Sequence, residues 1–445
     1  MSNMTNFLEE HREKDTAAWF KFTLGYLLVD YGRPQDVLPA LGAIRPALIL
    51  NLVLVYFLVK NRAMIVRGCR QLRVIGYFIA LLATLIPFAR NNYYAYSTFV
   101  EMLKFVPFIL SIIVCVNSLT RLRTFLKFYV GVMVYVALYA ITHNGMGSGN
   151  YFGDENDVSL YINMVLPFCY FMLLAERPIV IRVYYGAALV IGLVAVVVSF
   201  SRGGFVGLVA ILFVVWLVSP RKLLTVALTS LLALGVFLYS GEHYLKEMST
   251  VSDTKESTAS ARLKSWASAW DMFVDNPMGV GGGNFQVRFP EYQADRFSRG
   301  MWGRVAHSIW FTLIPELGIV GIVLFARLLF YNFRDIWRLR PIPSHSDADA
   351  PFFKSLSAAF LASSAGFFAS ASFLSVLYYP HYWYLTAMIV ASCRVRSAYS
   401  HPSSGPAVVP SGRRSPVAIA KRSPQRFRKS HGNTICLPGP QARSL

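Results

Sequence analysis

Four short clusters of polar residues beside long apolar runs hold the side chains able to do chemistry. Phe200-Ser201-Arg202-Gly203-Gly204 interrupts two apolar stretches. A guanidinium there is a planar fork suited to bidentate contact with phosphate. It serves equally as an interface anchor snorkelling to water, with Gly203 and Gly207 as a small-residue packing ridge. Ala261-Arg262-Leu263-Lys264-Ser265-Trp266 opens a second cluster, in which Trp266, Trp270, Met272 and Phe273 recur at roughly helical spacing. This pattern predicts a helix lying on the membrane surface with Arg262 and Lys264 near its start. The third, Asp275-Asn276-Pro277-Met278-Gly279-Val280-Gly281-Gly282-Gly283-Asn284-Phe285, can bring backbone N–H groups close to an anion. No Gly-Lys-Ser/Thr follows and no strand precedes, so neither a P-loop nor a dinucleotide fingerprint fits, and a flexible re-entry turn is the expectation. The fourth is Arg304-Val305-Ala306-His307-Ser308, followed by Glu316-Leu317-Gly318. A histidine at a membrane boundary can act as general base or bond a phosphate, or merely cap a helix. Glu316 falls about two and a half turns deeper on another azimuth, so the two side chains are not expected to touch.

The elements that must position these groups follow from composition. A soluble chain of 445 residues would make about three domains. Here 55% of residues are hydrophobic, mean hydropathy is +0.45 and only 15% are charged, against roughly 25% in ordinary globular chains. The chain therefore reads as an all-α polytopic membrane protein, because only helices satisfy their own backbone in lipid while the sequence shows no barrel-like alternation. Twelve spans are predicted, near 17–29, 43–59, 74–88, 103–116, 125–141, 158–175, 179–200, 204–218, 223–240, 307–330, 353–373 and 377–393. Ala358, Ala362, Gly366 and Ser370 recur every four residues, a stripe of small side chains that lets another helix approach closely. Five scattered cysteines with no CxxC pair suggest neither a disulfide framework nor a zinc site. A secreted disulfide protein, a soluble enzyme and a simple DNA-binding domain are excluded, and no nucleic-acid partner is expected.

Orientation comes from Lys and Arg in the short loops. Lys60, Arg62, Arg67, Arg70 and Arg73, then Arg121, Arg123 and Lys127, then Arg177 with Arg182, Arg221 with Lys222, and finally Arg334, Arg338 and Arg340 mark every second connection. Both termini are then cytoplasmic. The one large loop, 241–306, faces the periplasm and carries eight basic and eight acidic residues. An integral membrane domain over 1–393 precedes a basic tail, 394–445, in which ten basic residues and no acid supply half of the net charge of +20. That tail has too little apolar surface to order itself; it either rests on anionic lipid or stays solvated. The N-terminus lacks the apolar core and cleavage site of a removable signal.

Taken together, Phe200 to Gly204 closing a span, Arg262-xxx-Trp266 followed by Asp275 to Gly281 and Asn284-Phe285 in the outer loop, and His307-Ser308 with Glu316-Leu317-Gly318-xx-Gly321 opening the next span resemble the O-antigen ligase and polymerase superfamily of bacterial envelope proteins, of Wzy_C type. Tyr31-Gly32-Arg33-Pro34-Gln35 and Asp154-Glu155-Asn156-Asp157 are similar to the O-glycosylation ligases found beside exosortase systems. The resemblance covers residues 150 to 330 best. Ser308 stands where the family usually has Asn, and the basic tail has no counterpart in the pattern.

The resemblance implies a GT-C-like, metal-independent, inverting glycosyltransferase of the bacterial inner membrane. It would use no cofactor and would move a glycan from undecaprenyl diphosphate to a hydroxyl of lipid A-core, of a protein or of another glycan. Arg202 and Arg262, with Arg288 and Arg304 behind them, would bind the diphosphate, while His307 would activate the acceptor or position the phosphate. A ligase and a polymerase need the same diphosphate site, so either fits. A lipid-glycan flippase or transporter is the reading from another class. Transporters tend to show internal repeats and helices broken near mid-membrane, and no repeat relates the two halves here. An inactive assembly scaffold is a third reading.

Overall fold

The computed structural model describes residues 2–64, 68–149, 151–219, 221–223, 225–227, 230, 257–293, 303–340 and 349–400. Among them there is no strand. The helices are α1 (Ser2–Gly32), α2 (Pro34–Val37), α3 (Pro39–Ile44), α4 (Pro46–Lys60), α5 (Arg70–Leu85), α6 (Asn92–Cys115), α7 (Leu119–Thr142), α8 (Glu155–Ala175), α9 (Ile179–Val198), α10 (Arg202–Val218), α11 (Ser257–Asp275), α12 (Phe285–Gln293), α13 (Ile309–Arg338), α14 (Ala350–Ala371) and α15 (Pro380–Ser400).

Among the described residues, eight stretches are long and apolar enough to cross a membrane: Ala40–Lys60, Arg70–Phe88, Asn92–Cys115, Leu119–Thr142, Glu155–Ala175, Ile179–Val198, Ile309–Arg338 and Ala350–Ala371. Helix α10 is apolar but shorter, with 17 residues. Helices α1 and α15 overlap the first and last expected spans with a less apolar composition. The expected span 223–240 lies outside the described residues except for positions 223, 225–227 and 230. The fold is thus all-α and polytopic, as composition required. The tail from 401 onward also lies outside the described residues. The helix that precedes it continues to Ser400, past the boundary drawn at Arg394.

Helix α8 is the centre of the bundle, with every side chain from Asp157 to Met172 buried. An all-round apolar helix buries all its faces, and α8 does so between α7, α9, α10 and α14. The small-residue stripe of α14 is the packing surface expected of it. A Cβ on Gly366 would stand 2.5 Å from Ile211 of α10, and one on Gly207 would stand 2.8 Å from Asn163 of α8 and 3.2 Å from the Gly366 carbonyl. The Ser363 hydroxyl bonds the Met164 carbonyl at 2.6 Å. In contrast, α4 and α9 expose Leu48, Leu52, Val55, Val183, Val190 and Val194, side chains that lipid tails can cover.

The basic connections gather at one end of the bundle. There Arg123 pairs with Glu176 at 3.5 Å and Asp349 at 3.3 Å, Gln71 bonds Asp335 at 2.6 Å, and Arg394 bonds the Ile113 carbonyl. The alternate connections meet at the other end. There Ser201 bonds Asn156 at 2.7 Å, the Asn91 N–H donates to Asn284 Oδ1 at 2.8 Å, and Arg90 pairs with Glu291.

Candidate active site

The turn between α9 and α10 is built to hold Arg202. Phe200 adopts a left-handed conformation (φ 51°), uncommon for a bulky residue. The chain reverses there, and Ser201 then caps α10. Its Oγ accepts from the Gly204 N–H at 2.8 Å and donates to Asn156 Oδ1 at 2.7 Å. Asn163 Nδ2 donates to the Gly204 carbonyl at 2.7 Å and Ser370 Oγ to the Gly203 carbonyl at 3.1 Å. The first turn of α10 is therefore fixed to both α8 and α14. The glycines form the packing ridge, and Arg202 stands half-buried at the end of that ridge.

Helix α11 is positioned by α13. The Trp266 ring stacks on Phe311, with centroids 5.1 Å apart and planes 9° from parallel, and its Nε1 donates to the Ala306 carbonyl at 3.0 Å. Ala269 and Met272 are buried with Phe285, Phe289 and Ala306 in a small core of their own. This corrects the surface-helix expectation: most of the apolar side of α11 is spent on protein, with Leu263, Trp270 and Val274 left exposed. The docking has a geometric result. Arg262 lies one helical turn before Trp266, and His307 directly follows the residue that Trp266 bonds.

The glycine-rich segment is not a flexible turn. Helix α13 is broken at Gly318 (φ 61°, ψ −160°), three residues after Pro315. Such a break leaves backbone groups that must find partners in a membrane, and the segment supplies them. Val280 N–H donates to the Pro315 carbonyl, Gly281 N–H to the Glu316 carbonyl, and Ile319 N–H to the Pro277 carbonyl, each at 2.9 Å. The buried Glu316 carboxyl completes the seat, accepting from Gly283 N–H at 2.9 Å, Phe285 N–H at 3.0 Å and Tyr378 OH at 2.7 Å. Glycine is required where the backbones meet. A Cβ on Gly279 (φ 96°) would lie 2.6 Å from the Glu316 carbonyl oxygen, and one on Gly318 would lie 2.5 Å from the Met278 carbonyl carbon. Glu316 thus acts on the loop and not on His307.

His307 sits in the connection just before α13, since the helix begins at Ile309 and not at the histidine. It too has a left-handed backbone (φ 49°), and its N–H donates to Ser375 Oγ at 2.9 Å, which pins this connection to the segment after α14. Burial, then the Arg304 and Arg262 guanidinium groups, push the imidazole down to about 4, against an opposing pull from Asp154. It is therefore neutral at pH 7. Asp154 caps α8, accepting from the Asn156 and Asp157 N–H groups at 2.8 and 2.9 Å. Asn156 is in turn the partner of Ser201. Sequence reasoning noticed this acidic segment without assigning it a role, and Ser375 and Tyr378 carried no signal at all.

Of the expected site residues, Arg262, Arg304 and His307 share one electrostatic environment, and Arg202 stands on the adjoining turn, joined through Asn156. Arg288 is engaged elsewhere. It bonds Asn276 Oδ1 at 2.8 Å and Glu291 at 3.1 Å and lies over the Tyr292 ring at 5.9 Å, which shapes the loop from within.

Residues 187–326 match the model of the family described as O-antigen ligase, Wzy_C. Over that span the chain is similar to the O-antigen ligases. The matched stretch contains the Arg202 turn, α11, the docked glycine segment, His307 and the broken part of α13. None of the curated proteins compared with the chain matches it. The O-antigen ligase family is one of glycosyl-transferring membrane proteins of ligase or polymerase type. Together with the apolar helices, the match points to a multi-pass protein of the bacterial inner membrane. The segments resembling O-glycosylation ligases, at 31–35 and 154–157, fall outside the matched residues.

Proposed function

We propose that the chain transfers a glycan from undecaprenyl diphosphate to an acceptor hydroxyl, with inversion and without a metal ion, at the end of the bundle where Arg262, Arg304 and His307 meet. The basic ends of the helices would face the cytoplasm, together with both termini, and this site the periplasm. The observation that carries the reading is the docking of Trp266 on Ala306 at 3.0 Å, which brings the helix that carries Arg262 to the connection holding His307, where burial and the charges of Arg304 and Arg262 keep the imidazole neutral. A neutral imidazole can accept a proton. Fixed guanidinium groups can stabilise the charge that develops on a departing diphosphate.

In the reaction the acceptor oxygen attacks the anomeric carbon and loses its proton to His307. The bond from that carbon to the diphosphate oxygen breaks, and the diphosphate leaves with the electron pair toward Arg202, Arg262 and Arg304. Arg288 serves by holding the loop that carries α11 in shape. The acceptor is a hydroxyl of lipid A-core, of a protein or of a second lipid-linked glycan. The broken helix that a flippase would also display is here filled by backbone from the glycine segment, which favours a site built at the surface over a path through the bundle.

The test is glycan transfer by purified protein given lipid-linked glycan and acceptor. Arg202→Ala, Arg262→Ala and His307→Ala should each insert normally and lose at least about a hundredfold in rate, the lower range for a positioned acid–base group. Wild-type rates in all three would refute the assignment. Deletion separates the two family activities, since accumulating lipid-linked polymer indicates a ligase and accumulating single repeats a polymerase.

A further inference from the structure

A second charged site lies at the opposite end of α13 from His307. The start of α5 and the ends of α13 and α15 enclose a cavity of about 570 Å³, lined by Arg70, Arg334, Arg338, Arg394 and Arg396 against a single carboxylate, Asp335. We propose that this cavity binds a multiply charged phosphate group, the headgroup of an anionic phospholipid.

Asp335 supplies one negative charge against the five guanidinium groups of the lining and is paired with Arg334. It is buried, accepts from Gln71 Nε2 at 2.6 Å, and is bonded by Arg334 at 2.8 and 3.1 Å, while Arg338 stands 4.0 Å away. Among the described residues at this end, Glu176 and Asp349 are engaged as well, both being paired with Arg123. Arg334 and Arg394 are half-buried and held in place, the former over the Tyr331 ring at 5.3 Å and the latter by its bond to the Ile113 carbonyl. Like charges gathered around one cavity repel one another, and an anion relieves that repulsion. The sequence after Ser400 adds no Asp or Glu. The volume is that of a site for a ligand larger than a lone ion. Guanidinium forks match phosphate geometry, and basic pockets between membrane helices hold phospholipid headgroups.

The experiment uses the full chain in nanodiscs of phosphatidylcholine with or without cardiolipin, with native mass spectrometry reading the retained lipid and inorganic pyrophosphate as the soluble probe. Arg70 and Arg338 are exposed at the rim, so an Arg70→Gln, Arg338→Gln double variant should fold. It should retain cardiolipin about thirtyfold less well than wild type, at roughly fivefold for each arginine. The same charge loss at Arg177→Gln with Arg182→Gln, on another basic connection, should leave retention unchanged. Retained cardiolipin that resists millimolar pyrophosphate establishes the lipid as the source. Variant-sensitive pyrophosphate binding in pure phosphatidylcholine establishes the same site with a soluble phosphate as its ligand. Equal retention of both probes by wild type and the rim variant, or an equal loss in the control variant, overturns the proposal.

Discussion

The seat of the glycine segment gives the sharpest prediction. Glu316 is 3% exposed and accepts three hydrogen bonds, two of them from the segment's backbone. Removing an acceptor from a buried donor costs about 1–3 kcal/mol for each donor left unpaired. With Gly283 only part-buried, Glu316→Ala should cost about 4 kcal/mol of docking free energy, near a thousandfold in the docked-to-released ratio. Glu316→Gln keeps one oxygen but turns an NH₂ toward a donor, and should cost about 2 kcal/mol by the same reasoning. Hydrogen exchange reads the effect directly, because the amides of Val280, Gly281, Gly283 and Phe285 are all protected by α13. Their exchange should accelerate about a thousandfold in Glu316→Ala and about thirtyfold in Glu316→Gln, with α8 and α14 unchanged. Glycan transfer should fall by about a hundredfold in the alanine variant, the scale of a small displacement of catalytic groups, since α11 and Arg262 directly precede the released segment. Full protection of these amides in Glu316→Ala would refute the seat. Full activity with the segment released would refute its role in positioning Arg262.

Two further outcomes follow. His307 is held down to about 4 against an ordinary 6.5, so the unfolded chain binds more protons between these values. Stability from this group is therefore lost as pH falls from about 6.5 through about 4, and the acid limb of kcat/KM should lie near pH 4. Arg262→Gln, by removing a neighbouring cation, should move that limb upward, which a pH–rate profile checks. Gly207→Leu should overpack the contact with Ser370, Gly366 and Asn163, costing about 1–3 kcal/mol. It should lower Tm and reduce transfer by tilting the turn that holds Arg202, whereas substitution of the exposed Val209 by Leu should do neither.

Much of this architecture was legible in the sequence because its cause is local. A run of about twenty apolar residues has one stable form in lipid, and alternate basic loops order the runs end to end, which places Arg123, Arg334 and Arg338 at the same end. The four-residue stripe on α14 and the glycines of α10 were readable for the same reason, since a helix face is written at fixed spacing. The break in α13 was not. Pro315 and Gly318 lie inside a run whose hydropathy passes for one uninterrupted span, and the carbonyls that the break frees are satisfied by residues more than thirty positions earlier. The docking of α11 was missed likewise. Trp266 and Met272 display an amphipathic period whether their partner is lipid or Phe311, and nothing local distinguishes the two. The resemblance implies a place for Arg288 among the diphosphate ligands. Its binding to Asn276 and Glu291 is a fact of the folded loop.

The site therefore depends on two supports that reach it from different directions. Arg262, Arg304 and His307 belong to a unit tied together by Trp266, whose ring rests on α13 and whose indole N–H holds Ala306. Arg202 belongs to another, made of α8, α10 and α14 with Ser201 and Asn156 at its tip. Among the described residues the contacts that join them include Ser375 with the His307 N–H and Thr312, Ser372 with the Trp310 indole at 3.0 Å, the Trp310 ring stacked on Phe368, and the charge of Asp154 acting on the imidazole. Helix α14 serves both sides, since Ser370 near its end bonds the carbonyl of Gly203, while Ser372 and Ser375 just beyond bond the connection to α13 and that helix's first turn. A substrate with a diphosphate and a sugar spans several ångströms and needs cations and a base held at fixed separation. A single helix end offers too few directions for that, and under the proposed reading the two groups of elements joined through α14 would supply them.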